Sequence, residues 1–420
     1  MLPLQPMTKK ERIIIFLLAT LNFTHILDFM IMMPLGNYLM PFFNISPQQF
    51  SLLVASYTIA ASISGFCAAF FIDGYDRKKV LLVAFTGFLG ATMACGFAPS
   101  YSILLFARLV AGLFGGLIGA QVISIVSDLF VYERRGRAMG AVMSAFAIAS
   151  TVGIPLALYV SNLISWHAPF IGIATLGLLL IPFIIRYMPA MNSHLVPGQK
   201  ASINMNGIKA VLSDSTHIKA LLFTGFVMFG HFIIVPFINP FLEFNLGYSK
   251  TITPLIYLVG GIAAFFSANW LGRISDRVGK MKIFRICLFL SLPMVLLITN
   301  LTPIPYWIVL LLFAAWFTVA TGRGVTSQAL VSNVPELQNR GSFQNFNSSM
   351  QQAGTGLASL LAGFVVIEGE GGKIGNYAGL GIISIVALLI SLWLAQSVFS
   401  DKKKVSKFQD VSKVPLVPEV

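Results

Sequence analysis

Charge is scarce in this chain. Only 10% of its 420 residues are Asp, Glu, Lys or Arg, where a soluble domain carries about a quarter. That excludes an ordinary water-soluble globule, which could not dress its surface with so little charge. Cysteine is nearly absent too. Cys67, Cys95 and Cys287 lie in apolar segments and none belongs to a CxxC pair. A disulfide framework or a thiolate metal centre is therefore excluded, and the three read as small buried hydrophobes. A Walker loop, an HExxH helix, Cys/His metal spacing and a nucleophile elbow are all missing. The sequence thus supplies no basis for an enzyme, a resident metal or a cofactor, and no soluble domain for a receptor to signal through.

What is abundant is apolar sequence: 56% of the residues, gathered in long blocks. About 20 consecutive apolar residues cross a bilayer as a helix, and only helices and closed barrels satisfy their own backbone in lipid. These blocks are too continuous for alternating barrel strands. The expected fold is an all-α polytopic membrane protein with twelve spans. In the first half they cover roughly 13–40, 49–72, 80–98, 101–128, 138–163 and 168–187; in the second, roughly 219–243, 252–274, 283–301, 306–334, 342–367 and 377–397. The first is long and lacks a small-residue cleavage site, so it reads as a true span and not a signal peptide. A polar linker over 189–218, with a short surface helix expected over Ile208–Asp214, separates an N-terminal bundle (1–188) from a C-terminal one (219–400), and a tail follows (401–420).

The basic excess, 28 Lys and Arg against 15 Asp and Glu, sits at span ends. If both termini are cytoplasmic, nearly all of it falls inside, and only Lys250 and Lys373 stay outside. Cytoplasmic Lys and Arg are the expected bias, so the charge encodes topology in a bacterial-type inner membrane. A nucleic-acid partner would need those residues on one compact face.

The halves repeat each other. "DGYDRKKVLL" from Asp73 answers "GRISDRVGKMKIF" with Asp276, 203 residues on. Arg135-Gly136 answers Arg340-Gly341, 205 on, while Pro34 and Asn37 answer Pro236 and Asn239, both 202 on. Six spans per repeat make the two halves parallel, and such pairs hold their substrate between them near the midplane. The glycines of "AGLFGGLIGA" let helices approach closely there.

These motifs resemble the major facilitator superfamily, and within it the twelve-helix drug:proton antiporter branch, which also holds sugar and metabolite exporters. The loop after the second span is similar to Gly-x-x-x-Asp-Arg-x-Gly-Arg-Arg; the first copy departs at Ala69, Gly74 and Asp76, while the second, from Gly272 through Asp276, Arg277 and Gly279 to Lys280, fits. "ARLVAGLFGG" matches the Arg-x-x-x-Gly motif through Arg108 and Gly112, and "STVGIPLALY" matches the exporter motif of the fifth span through Gly153 and Pro155. "SWHAPF" keeps Trp166 and Phe170 but has His167 where Arg is usual. The resemblance implies two pseudo-symmetric six-helix bundles that rock about a central site and work as a monomer. It also implies that Asp73, near the start of the eleventh helix, and Arg77, pairing with Asp128, latch the outward-facing state. The alternative is that the loop charges only set orientation.

One residue stands apart. Asp28 lies in "THILDFMIMMPLG", and no other acid occurs between Arg12 and Ile72. A midspan carboxylate costs about 2.5–3.5 kcal/mol on insertion scales, so Asp28 is expected to face the cavity between the halves. Low dielectric favours its neutral form and a nearby cation its charged form. Alternation between the two is proton coupling; a fixed pair holding helices together is the other reading. Arg108, roughly 10 Å into its span at 1.5 Å per residue, is the expected partner. His25, three residues before Asp28 on the same face, and His231, near the repeat position, either relay protons or only pack. Arg323 either holds an anionic or polar substrate or pairs with backbone carbonyls. Asn22, Asn37, Asn239, Gln344, Asn347, Gln351 and Gln352 bind substrate or glue helices. Met32 and its neighbours would give an adaptable apolar wall. These readings converge on a proton-coupled exporter of small amphipathic molecules. The alternatives are export of a sugar or siderophore, or uptake of a metabolite.

Overall fold

The computed structural model describes residues 7–71, 74–130, 132–192, 211–335 and 340–399. The twelve expected spans are helical. Span 1 is Lys9–Ile31, resumed as Gly36–Phe43; span 2 is Pro47–Phe71, span 3 Arg77–Gly96 and span 4 Tyr101–Leu129. Span 5 runs Tyr132–Ile148, through a π-helical turn, to Ile154–Leu163, and span 6 is His167–Tyr187. In the second half, span 7 is Ser215–Phe232, continued by short turns to Asn245; span 8 is Pro254–Val278 and span 9 Lys280–Thr299. Span 10 is Tyr306–Val331, span 11 Arg340–Val365 and span 12 Tyr377–Phe399. A two-stranded hairpin, Ile367–Glu368 with Ile374–Gly375, links the last two. Of the linker, residues 193–210 lie outside the described chain, as does all of the expected surface helix before Val211.

Eleven of these helices are long and apolar enough to cross a membrane. Span 11 is equally long, at 26 residues, but carries a polar stripe that lowers its hydropathy. Its neighbours cover that stripe: it lies between spans 2 and 7, and Thr224 donates to Asn347 Oδ1 at 2.8 Å. Around the outside, Phe106, Leu179, Phe266 and Trp393 are more than half exposed, as side chains facing lipid must be.

Spans 1 to 6 pack among themselves, as do spans 7 to 12. The two bundles meet along spans 2 and 11 and along spans 5 and 8. The core is shared unequally. Toward the face away from the chain ends, one continuous cluster joins Leu39, Phe50 and Leu53 of the first bundle to Phe237, Ile238 and Leu242 of the second. Toward the face bearing both chain ends there are two separate clusters, one from Ile14 to Met191 and one from Val211 to Val398. The bundles are therefore fused at the far face; toward the near one their cores are separate, while spans 2 and 11 stay in contact through Phe66 on Phe346 and through Phe70, which packs on the second bundle's cluster.

Proline sets the breaks. Span 1 loosens into turns around Pro34, and span 7 does the same at repeat-related Pro236, where it passes through 3-10 and π geometry. In span 5, Pro155 has no N–H to donate to Thr151, four residues back, and the helix widens over Ala149–Gly153. Thr151 there meets Gly261 of span 8, where a Cβ would come within 2.5 Å of its Cα. Gly153 itself makes room for Leu27 of span 1.

Candidate functional site

The site starts from a glycine-driven helix crossing. A Cβ on Gly112 would sit 2.2 Å from the carbonyl oxygen of Tyr57, and one on Gly116 would sit 2.3 Å from that of Ala61. Two glycines four residues apart thus let span 4 lie backbone to backbone against span 2. This approach brings Tyr57 under Arg108, one turn before Gly112. The guanidinium carbon stands 4.4 Å from the centre of the tyrosine ring, a cation–π contact. From span 1, Asp28 completes the group: Arg108 Nη1 donates to Asp28 Oδ2 at 2.7 Å, and both side chains are 0% exposed. Thr92 and Cys95 of span 3 flank the pair.

All of these residues belong to the first bundle. The expected orientation of Asp28, toward the space between the halves, is not what this conformation holds: Arg108 draws the carboxylate into the bundle interior. The neighbouring residue, Phe29, faces the other bundle instead, stacking on Tyr57 at 5.8 Å and lying 6.0 Å from Phe232 of span 7. Behind it, several buried polar atoms are left without a close, well-aligned hydrogen bond among the described residues: the Tyr57 hydroxyl, Asp28 Oδ1 beside Thr92, Arg108 Nε and Nη2 beside Cys95, and the ring nitrogens of His25 beside the Gly115 backbone. His25 packs edge-on to Phe88 at 5.7 Å. Chemically, the carboxylate has one oxygen engaged and one open to a proton. If it takes one, Arg108 still has the Tyr57 face to rest on.

In the second bundle, His231 stacks on Trp316 of span 10 at 4.9 Å, and Arg323 lies two turns further along span 10, 2% exposed. The other expected cavity residues are engaged elsewhere. Asn22 donates to the carbonyl of Val142 at 3.3 Å, tying span 1 to span 5. Met32 is wholly buried in the shared core. Gln351 donates to Gln328 Oε1 at 3.2 Å.

Asn239 belongs to a clasp at the far face. Its amide donates to the carbonyl of Pro34 at 3.0 Å, across the bundles, and its Oδ1 accepts from Tyr257 at 3.1 Å. Its repeat mate Asn37 reaches the other way, donating to Glu243 Oε2 at 2.5 Å. Asn162 donates to the carbonyl of Lys250 at 3.1 Å, and Lys250 lies over the Tyr38 ring. Glu243, Tyr257 and Asn162 were not among the residues the sequence singled out. Glu243 is one of 15 acids and sits in a span, the signal that marked Asp28.

At the near face the loop motif is half visible. Asp73 lies outside the described residues. Arg77 Nε meets Asp128 Oδ2 at 2.7 Å. Asp76 caps span 3 by accepting from the N–H groups of Lys78 and Lys79, and Lys78 Nζ donates to the carbonyls of Ile185 and Met188 at the end of span 6. In the second copy Lys280 approaches Asp276 at 3.9 Å, and Arg277 lies in the last turn of span 8. Gly272 faces Val325, and Gly279 ends the span at φ +107°, a conformation only glycine adopts freely. Above the loops, between spans 1 and 5, opens an apolar cleft of about 480 Å³, lined among others by Ile15, Phe16, Phe23, Ala145 and Ile148, with Arg12 at its edge.

Comparison with known proteins agrees with this architecture. The family model for the Major Facilitator Superfamily matches residues 18–327 and 220–418. The chain is 22% identical to the uncharacterized MFS-type transporter YceJ of Bacillus subtilis over 387 residues, covering 90% of this chain and 94% of that one. It is 23% identical over 350 residues to a probable sugar efflux transporter of Helicobacter pylori, covering 82% and 86%. A solved structure of a bacterial homologue of the human lysosomal transporter Spinster, in an inward-facing, unoccupied conformation, superposes with a TM-score of 0.73 at 15% identity, over 96% of this chain and 99% of that one. With its two fused six-helix bundles, its repeated loop and this match along the whole chain, the protein belongs to the major facilitator superfamily and is a multi-pass membrane transporter of small molecules.

Proposed function

We propose that this transporter exports small amphipathic organic molecules in exchange for protons, with Asp28 as the proton carrier. The supporting observation is the buried Asp28–Arg108 pair, in which Arg108 engages one carboxylate oxygen and leaves the other beside the neutral Thr92. When the bundles tilt, Phe29 leaves Phe232 and water reaches the pair. A proton on Asp28 then frees Arg108 to lean on Tyr57, and loss of the proton to the other side restores the ion pair. His25 stands by to pass the proton. The basic residues at the near face favour a cytoplasmic orientation for both termini in a bacterial-type inner membrane. On that orientation the far clasp closes the present state outward, and toward the inside the two bundle cores are separate. Residues 1–188 and 219–400 act as the two rocking units, the Arg77–Asp128 pair braces the inner face, and one chain suffices.

The apolar wall of the near-face cleft supports an amphipathic cargo. Moving one charge gains about 2.3 kcal/mol per 100 mV. One entering proton alone therefore sustains about a 50-fold gradient, and a cargo that leaves as an anion moves a second charge in the same sense. Two alternatives have support of their own. A sugar cargo is favoured by the name of the Helicobacter pylori relative, and a purely structural Asp28–Arg108 pair by its complete burial. Everted membrane vesicles separate the transport readings. Acidifying their interior should drive accumulation of a fluorescent amphipathic dye, and a protonophore should abolish it. Accumulation of labelled sugar but not dye, or loss of dye on acidification, would overturn the proposal.

A further inference from the structure

Among the described residues, Arg323 is a buried cation without a counter-ion. Its Nε and Nη1 have no hydrogen-bond acceptor among the described residues, so no described backbone carbonyl holds those two groups. No described Asp or Glu stands within ion-pair distance of it. This sets it apart from Arg108, the other fully buried arginine, which is neutralised by Asp28. Two more unpaired groups lie nearby: Trp316 Nε1, which can only donate, and His231 Nδ1. The two rings stack, and the Arg323 charge acts on His231. Trp316 and Arg323 are seven residues apart, on one face of span 10, about 10 Å along the axis. His231 keeps partial exposure although it sits deep in the bundle, whereas Trp316 and Arg323 are buried. The arrangement is a fork of N–H donors at one end and a stacked aromatic pair at the other, with positive charge and, for Arg323 Nε and Nη1, no acceptor among the described residues.

We infer that this is the binding site for the cargo's head group, and that the cargo is an organic acid: a carboxylate on Arg323 with an aromatic or aliphatic body against Trp316 and His231. A guanidinium matches a carboxylate bidentately. A neutral or cationic cargo would leave the buried charge unpaired. The inference rests on the transport reading above but not on its proton coupling, and binding alone tests it.

The test is binding of three naphthalene probes to the purified full-length chain in detergent, by calorimetry and by the shift in unfolding midpoint. The probes share one body and differ in head: 2-naphthoate, 2-naphthamide and 2-naphthylmethylamine. The wild type should bind naphthoate and not the other two. Arg323→Gln should weaken naphthoate by about tenfold or more, the worth of a charge-assisted hydrogen bond, and Arg323→Lys should weaken it less. Trp316→Leu, which leaves the arginine in place, should also weaken naphthoate. Without ligand, Arg323→Met should unfold no earlier than the wild type, because it removes an uncompensated buried charge. Equal binding of the amide or amine, unchanged naphthoate affinity in Arg323→Gln, or no naphthoate binding by the wild type would overturn the assignment. Failure of coupling at Asp28 with naphthoate binding intact would count against the proton mechanism alone.

Discussion

Consider the removal of Arg108 and Asp28, singly and together. Each is 0% exposed, and among the described residues the only close charged partner of each is the other. Breaking a buried pair by deleting one member costs about 3–5 kcal/mol, because the survivor stays buried and unpaired. The two single variants should not cost the same. A stranded carboxylate can neutralise itself by taking up a proton, whereas a guanidinium cannot lose one. Asp28→Leu should therefore be the more damaging single change. Tyr57 offsets part of its cost, since a cation–π contact contributes about 0.5–2 kcal/mol. Replacing both, as Asp28→Leu with Arg108→Met, leaves no buried charge and should be near neutral or stabilising by about 1–4 kcal/mol. The coupling energy should then exceed about 3 kcal/mol. Denaturant unfolding of the four purified proteins in one detergent measures it, and transport by the double variant should be abolished even though it is stable. Losses that simply add, with coupling under about 0.5 kcal/mol, would mean that the pair is not desolvated.

Other parts of the structure can be tested as directly. Gly112→Ala would drive a methyl into the Tyr57 carbonyl at 2.2 Å; it should cost about 1–3 kcal/mol and lower activity by displacing Tyr57, both readable from unfolding and vesicle assays. Glu243→Gln combined with Asn37→Ala should loosen the far clasp. A cysteine at Ser51, fully buried against Gly363, should then react faster with an impermeant maleimide in a background without the natural cysteines. Gly279→Ala, forced to φ +107°, should lose about 1–3 kcal/mol. Arg77→Gln, deprived of Asp128, should alter the rate of cycling and leave substrate affinity unchanged.

Much of this was legible in the sequence because lipid leaves few choices. Long apolar runs had to be helices, and the 202–205 residue offsets had to be a repeat. The pairing of Asp28 with Arg108 could be expected from their matching depth and from the way the family resemblance places the first and fourth spans together. Its direction could not: whether a midspan acid faces the gap or the bundle interior depends on which helix supplies the partner. The far clasp was also hidden. Glu243 lies beyond Pro236 and Pro240, where span 7 loses its regular period and facing positions cannot be counted. Tyr57 was invisible because its role follows from the glycine crossing of spans 2 and 4, a tertiary fact. Span 11 is the converse case. Its polar stripe lowers the hydropathy signal, yet the repeat required a helix there, and the same stripe faces other spans instead of lipid.

The claim at the centre of the account is that Asp28 carries the coupled proton. It is tested by substrate-dependent proton movement in proteoliposomes, wild type against Asp28→Asn, with substrate binding measured on the same preparations. Asn keeps the size and the hydrogen bond to Arg108 but cannot exchange a proton at neutral pH. The account predicts that the variant still binds substrate and moves no protons with it. Coupled proton flux at the wild-type rate in Asp28→Asn would contradict it.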